Sequence, residues 1–314
     1  GLEQVTRPFL ALLTALHASF GGVTEIRIIR QRVIWAARIG TGDIDTIIAA
    51  LMPVADHPRH EIPHGDHPRS GEGNIYFTLG AVRPDGDWPT GAPVRRTKSA
   101  AKNDDILEYP WAVVDVDPER SPKDRSASDL EKAEALAVAQ AVAAEFASHG
   151  VHVARADSGN GYHLLARHVS APGGTVKQAA GAMKALLHRL HGRFSSLGAK
   201  VDVTTHNPGR IMKLYGTVAT KGVDTETAPH RLSWLDIAAI PPPIDVFAAL
   251  GEPEPPDKRS GTKGADRAKT QPWNHETPNQ QAWRASALSA LDLHLVYGEW
   301  LTGKANGNGW LECR

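Results

Sequence analysis

Apolar residues recur at helical spacing over residues 8–20, where Phe9, Leu12, Leu13, Leu16 and Phe20 share a stripe that Gly21-Gly22 brings to a stop. Two short apolar runs, 24–29 and 32–37, read as strands. Residues 42–52 read as a helix and 74–79 as another strand, so the first unit is αββαβ. Between its helix and last strand lies a segment with His57, His60, His64 and His67. Their spacing would suit a metal, but the interspersed prolines and the lack of periodicity predict an exposed loop.

The second unit has a cleaner rhythm. Trp111-Ala-Val-Val-Asp115-Val-Asp117-Pro118 is rich in β-formers and predicts a buried strand. Ser128 and Glu131 make a capping box, and Ala135, Val138, Val142 and Phe146 line the helix that follows, up to Gly150. Strands at 151–156 and 162–168 flank a glycine-rich turn. A second amphipathic helix carries Val176, Ala180, Met183, Leu187, Leu190 and Phe194, and residues 200–204 form a short strand. The order βαββαβ predicts a ferredoxin-like, RNA-recognition-motif-like sheet.

Beyond residue 243 the pattern weakens to a short helix at 245–250. Residues 251–280 are rich in Pro, Gly, Lys, Asp and Asn and read as a linker. A helix at 282–301, with Leu288, Leu291, Leu295 and Trp300, seeks a partner surface. The expected organisation is an N-terminal αβ unit over 1–105, a catalytic βαββαβ unit over 106–250, the linker, and a helical segment over 281–314 that begins an accessory module. The fold class is α+β.

Alternation along a strand puts Asp115 and Asp117 on one face, with Val114 and Val116 on the other. An Asp-x-Asp before proline also suits a strand running out into a solvated turn. Paired acids inside an apolar strand are costly unless a cation meets them, which makes them half of a divalent-metal site. In a βαββαβ sheet the first and third strands are central neighbours, so the pair lies near His163. The turn Asp157-Ser158-Gly159-Asn160-Gly161-Tyr162-His163 can hold an anion such as a triphosphate through Ser158 and its amides, although an Asn-Gly hairpin often binds nothing. Asp202 supplies a third acid, enough for two magnesium or manganese ions. Arg210, Lys213 and Lys221 follow, with His230-Arg231 beyond, where phosphates would lie.

Composition narrows the setting. Thirty-five Lys and Arg balance 35 Asp and Glu, so no global basic field marks the chain as a duplex binder, and nucleic-acid contact must come from local patches. Cys313 is the single cysteine, which excludes an internal disulfide and a multi-cysteine zinc site and makes a reducing, cytoplasmic setting the expectation. No apolar run approaches the roughly 20 residues of a membrane span.

Taken as an ordered set, Asp115-x-Asp117, Ser158-Gly-Asn-Gly-Tyr-His163, Asp202 and the Asn207-Pro-x-Arg210…Lys213-x-Tyr215-Gly-Thr…Lys221-Gly…Pro229-His-Arg231 run resemble the archaeo-eukaryotic primase superfamily. The set is most similar to the primase-polymerases of phages, plasmids and some CRISPR-associated loci, and it covers roughly residues 95–235. The resemblance implies a template-directed nucleotidyltransferase that uses two Mg²⁺ or Mn²⁺ ions, in a bacterial or phage-infected cell. Asp115, Asp117 and Asp202 would be catalytic and metal-binding. Ser158, Gly159, Gly161, His163, Arg210, Lys213 and Lys221 would bind the nucleotide. Arg95, Arg96, Lys98 and Lys102 would contact the template or form a solvated loop. Implied partners are a single-stranded DNA template and primer, NTPs or dNTPs, and a replicative helicase or CRISPR-associated proteins, with no membrane. Two alternatives stay open, a metal-dependent nuclease or nickase and a non-catalytic origin- or single-strand-binding module.

Overall fold

The structure is a computed structural model that describes residues 1–30, 33–55, 73–85, 88–91, 93–170 and 173–251. The four loop histidines, the linker beyond residue 251, the helical segment and Cys313 lie outside the described residues. The described residues belong to one compact unit.

The strands are β1 (Thr24–Arg30), β2 (Val33–Ile39), β3 (Asn74–Thr78), β4 (Ala81–Val82), β5 (Arg95–Thr97), β6 (Ile106–Glu108), β7 (Trp111–Pro118), β8 (Ala154–Asp157), β9 (Tyr162–Arg167), β10 (Ala199–Val201), β11 (Ile211–Lys213), β12 (Val218–Ala219), β13 (Arg231–Leu232) and β14 (Trp234–Leu235). The helices are α1 (Arg7–Ser19), α2 (Ile44–Ala55), α3 (Asp129–Ser148), α4 (Val176–Phe194) and α5 (Val246–Ala249). The architecture is α+β, built on two five-stranded sheets.

The first sheet runs β11-β3-β1-β2-β5 and the second β10-β7-β9-β8-β14. Neighbours in both are antiparallel. In the second sheet β7 lies between β10 and β9, and β8 lies outside β9, so the strands that follow the two helices flank the central β7-β9 pair on opposite sides. Both helices of this unit start as the sequence requires. The hydroxyl of Ser128 accepts from the Glu131 amide and that of Thr175 from the Gln178 amide, each as half of a capping box.

Alternation along β7 separates two environments. Ala112, Val114 and Val116 share one face, and α3 packs on this strand and on β9 and β10. Trp111 and Val113 face the other way, into an apolar cluster that also takes Leu165 of β9, Ile26 and Ile28 of β1, Phe77 of β3, and Phe9 and Leu13 of α1. Phe9, Phe77 and Tyr215 meet edge to face there, with centroids 4.9–5.9 Å apart. Asp115 and Asp117 continue this inward face, so the acids stand where the apolar layer gives way to polar side chains. The segment from Asp202 to Tyr215 links β10 of the second sheet to β11, which pairs with β3 of the first.

Candidate active site

The site is built on one rung of the second sheet. Asp115 is registered opposite His163 on β9, and on its other side the Asp202 amide donates to the Asp115 carbonyl at 2.8 Å. Cross-strand partners share a face, so an acid, a histidine and a second acid from three separated stretches of sequence align across β7, β9 and the residue that follows β10. Asp117, two residues along β7, adds a third carboxylate. Its side chain is 39% exposed, against 14% for Asp115.

These charges act on one another. Burial, then Asp117 and Asp202, push the Asp115 carboxyl well above its ordinary range, against the pull of Arg210 and Arg120. Burial and the Arg210 charge lower His163 to about 3, so the ring is neutral at pH 7. Its Nδ1 lies 2.8 Å from the hydroxyl of the fully buried Tyr215. Burial and the neighbouring Asp115 charge raise that phenol, so it keeps its proton and can donate it to Nδ1. In that arrangement the ring proton is on Nε2, 3.6 Å from Asp115 Oδ1.

Asp202 is already engaged. Its Oδ1 accepts from the Thr204 amide at 2.8 Å and hydroxyl at 2.7 Å, and its Oδ2 takes the Arg210 guanidinium at 2.9 Å. Among the described residues, no group of three or more His, Cys, Asp or Glu is arranged to hold a metal ion. The chemistry of Asp115 and Asp117 nonetheless fits a hard divalent cation, because both are oxygen donors whose mutual repulsion such an ion would relieve. Asp202 can join through lone pairs that its present partners leave free.

The glycine-rich turn is held from within. The Gly159 amide donates to Asp157 Oδ1 at 2.7 Å and the Gly161 amide to Ser158 Oγ at 3.0 Å, so both amides expected to face an anion have partners inside the turn. The Ser158 hydroxyl accepts that bond and keeps its own proton to donate. Asn160 Oδ1 accepts from the Ala127 amide at 2.8 Å, tying the turn to the start of α3. Close packing explains the glycines. A Cβ on Gly161 would meet the Val116 carbonyl at 2.3 Å, and one on Gly159 (φ +93°) would meet the Ala219 Cβ at 2.5 Å.

The cations divide by position. Arg210 touches Asp202 at the site, and Lys221 stands in the combined field of Asp117, Asp115, Asp124 and Arg120, with burial lowering its pKa. Lys213 is fully buried. Its ammonium donates to the Val218 carbonyl at 2.8 Å and approaches Asn74 Oδ1 at 3.4 Å, and burial lowers it to about 7. Asn74 also bonds the amide and carbonyl of Thr220, so this pair positions the strand end that carries Lys221. Arg231 is tied to Asp129 and the Ala127 carbonyl. Arg95 and Arg96 are exposed on β5, at the edge of the first sheet, with the Arg95 guanidinium 4.3 Å over the Trp88 ring. Lys98 is exposed beyond that strand. Lys102 lies nearer the acids, because the Gly209 amide donates to Asn103 Oδ1 at 3.0 Å, immediately before Arg210.

No family model matches the chain, and no curated protein matches it. Among solved structures it is similar to the archaeo-eukaryotic primase domain of the cyanophage S-2L primase-polymerase, at 13% identity over 77% of this chain and 96% of that one, with a TM-score of 0.41. It is also similar to the polymerase domain of Mycobacterium tuberculosis ligase D in complex with DNA, at 13% identity over 72% and 79% of the two chains, with a TM-score of 0.34. Roles for the residues here rest on the geometry of this chain.

Tyr215, Asn74 and Arg120 are site residues to which the sequence assigned no role. Tyr215 stands inside the Lys213-x-Tyr-Gly-Thr run and could have been singled out from it. Asn74 and Arg120 carry no pattern of their own.

Proposed function

We propose that this chain is a primase-polymerase of the archaeo-eukaryotic primase superfamily, whose β7–β10 sheet with α3 and α4 is a ferredoxin/RRM-like catalytic unit. In this reading it extends a primer, or an initiating nucleotide, on single-stranded DNA with NTPs or dNTPs. The observation that carries it is the shared rung of Asp202, Asp115 and His163, because it assembles the separate motifs of the resemblance in one place. The strand order β10-β7-β9-β8, with antiparallel neighbours throughout, is the order a split βαββαβ unit requires.

Asp115 and Asp117 would hold Mg²⁺ or Mn²⁺, with Asp202 as the third ligand, kept in place by Arg210 and Thr204. When bound, such ions activate an attacking hydroxyl and neutralise phosphate charge. Around them His163 presents a neutral N–H, Ser158 a hydroxyl, and Arg210 and Lys221 positive charge toward a triphosphate. Arg95, Arg96, Lys98 and Lys102 offer the template a cationic path along the first sheet and the loop after it.

A tyrosine-nucleophile nickase fits less well. Tyr162 alternates with His163 on β9 and so faces away from the acids, with Lys132 4.6 Å over its ring. Tyr215 is fully buried, and its phenol is held protonated. A non-catalytic binding module would have no need for three gathered acids.

The test is incubation with primed and unprimed single-stranded templates, NTPs or dNTPs, and Mg²⁺ or Mn²⁺. The parent should form product, and the double variant Asp115→Ala, Asp117→Ala should lose at least about a hundredfold in rate, the loss typical when charge stabilisation at a reacting centre is removed. Absence of product from the parent under every combination would defeat the reading, and equal product from the variant would defeat the site.

A further inference from the structure

Arg120 follows β7 directly. Its backbone is fixed by its neighbour Glu119, whose amide donates to the Gly198 carbonyl at 2.8 Å and whose carboxylate pairs with Lys200. The Arg120 side chain is only 6% exposed, yet its nearest carboxylate oxygen, Asp117 Oδ1, is 4.0 Å away, beyond hydrogen-bond reach. Nε and Nη1 are buried and have no hydrogen-bond partner. A guanidinium carries five donors, and although Nη2 pairs with Asp117, burying Nε and Nη1 without hydrogen-bond partners is unfavourable. Among the described residues Arg38, Arg167 and Arg189 each leave one such nitrogen without a hydrogen-bond partner, and Arg120 leaves two.

The surroundings indicate what would pair with it. Arg120 lies within electrostatic reach of Asp115 and of Lys221, two cations flanking the carboxylates. The chain after Arg120 (Pro122, Asp124, Arg125) and the chain after Lys221 (Gly222, Val223, Thr225) line one cavity of about 590 Å³, a size that suits a small ligand. The Ser126 hydroxyl donates to the Lys221 carbonyl at 3.1 Å and holds the two loops together. The cavity adjoins these residues without being lined by them, and carboxylates standing beside two cations, one with guanidinium donors still free, match a metal-bound polyphosphate.

We infer that Arg120 is a polyphosphate-binding residue that, with Lys221, takes the phosphate oxygens of the incoming nucleoside triphosphate. This rests on the polymerase reading above. In the transfer step the primer hydroxyl oxygen bonds to the α-phosphorus and the bond from that phosphorus to the α,β-bridging oxygen breaks. The hydroxyl proton passes to water, and pyrophosphate leaves with the bonding pair, its charge met by Arg120 and Lys221. The fork of the guanidinium suits this role better than an ammonium would.

The experiment compares the full chain with Arg120→Gln and Arg120→Lys. Thermal shift with inorganic tripolyphosphate in EDTA reads anion binding without metal or turnover, steady-state extension reads KM against kcat, and a labelled single-stranded oligonucleotide reads DNA affinity. The parent should be stabilised by tripolyphosphate and Arg120→Gln should not. The KM for the nucleotide should rise at least about tenfold in Arg120→Gln and less in Arg120→Lys, as the loss of a charge-assisted bond predicts, with DNA affinity unchanged. Equal tripolyphosphate response in parent and both variants would overturn the inference. So would a loss confined to DNA binding, which would assign Arg120 to backbone phosphate. A parent that makes no product yet binds tripolyphosphate through Arg120 would sink the polymerase reading and leave this site standing. If Arg120→Gln does not fold, Arg120→Lys decides the matter by the same measurements.

Discussion

Glu25 on β1 and Asp115 on β7 are both carboxylates set into the interior of a sheet, and their neighbours are of opposite sign. Glu25 accepts from Arg27 Nε at 2.6 Å, from Arg38 Nε at 3.2 Å, and from the Ala101 amide at 3.0 Å. Asp115 faces two further carboxylates and a neutral imidazole, while the nearest guanidiniums pair with its neighbours, Arg210 with Asp202 and Arg120 more loosely with Asp117. Charge in the first sheet is closed on itself and fixes a loop to a strand. Charge around the second is gathered like against like, the kind of strain that collects at functional sites. Neutralising one acid in each sheet should therefore move stability in opposite directions.

The largest effect should come from the closed cluster. Glu25→Gln leaves the guanidiniums of Arg27 and Arg38 buried without their anion, and breaking a buried pair costs about 3–5 kcal/mol. Urea denaturation should show that loss, with the extension activity proposed above falling only as the folded fraction falls. A variant as stable as the parent would mean that the cluster does not hold the first sheet.

His17 offers a second closed site, titratable rather than charged. Its ring lies between the Thr24 hydroxyl at 2.8 Å and the Leu79 carbonyl at 3.2 Å, and burial lowers its pKa from 6.5 to about 4. A folded pKa below the unfolded one means that the unfolded chain takes up the proton first. The contribution of neutral His17 is therefore complete above pH 6.5 and lost as pH falls from 6.5 toward about 4. At about 1.4 kcal/mol per pH unit this amounts to about 3 kcal/mol. The parent should lose that much more than His17→Asn across the interval, measured by denaturation at each pH. Parallel curves would place the titration elsewhere.

Much of this comparison could be read in the sequence, and the reason differs from residue to residue. The helical stripe of α1, the capping box of α3 and the alternation of β7 are local signals, and each element appears within a few residues of where periodicity puts it. The pairing of Asp115 with His163 followed from topology, because the first and third strands of a βαββαβ order are neighbours. Strands of two or three residues, such as β11 and β12, are too short to show a period, so the crossing that carries Asp202 to Arg210 and Tyr215 between sheets was not legible. Nor was the engagement of the Gly159 and Gly161 amides within their own turn, which depends on the rotamers of Asp157 and Ser158. Arg120 is buried beside Asp117, and no pattern around residue 120 announces it.

The smallest effect is the one that separates the two sheets most directly. Asp115→Asn keeps the shape of the side chain, removes a charge opposed by burial and by two neighbouring carboxylates, and leaves an amide beside His163 Nε2. With EDTA present at neutral pH, the variant should be more stable than the parent by about 1 kcal/mol, or roughly 2–4 °C in Tm for a chain of this class. Asp117→Asn, at a more exposed position, should change less. Adding Mg²⁺ should raise the Tm of the parent and leave that of Asp115→Asn nearly where it was, because an ion that binds only the folded state stabilises in proportion to its occupancy. If Asp115→Asn instead melts below the parent as Glu25→Gln does, Asp115 is a structural acid like Glu25, and the difference between the sheets is one of degree.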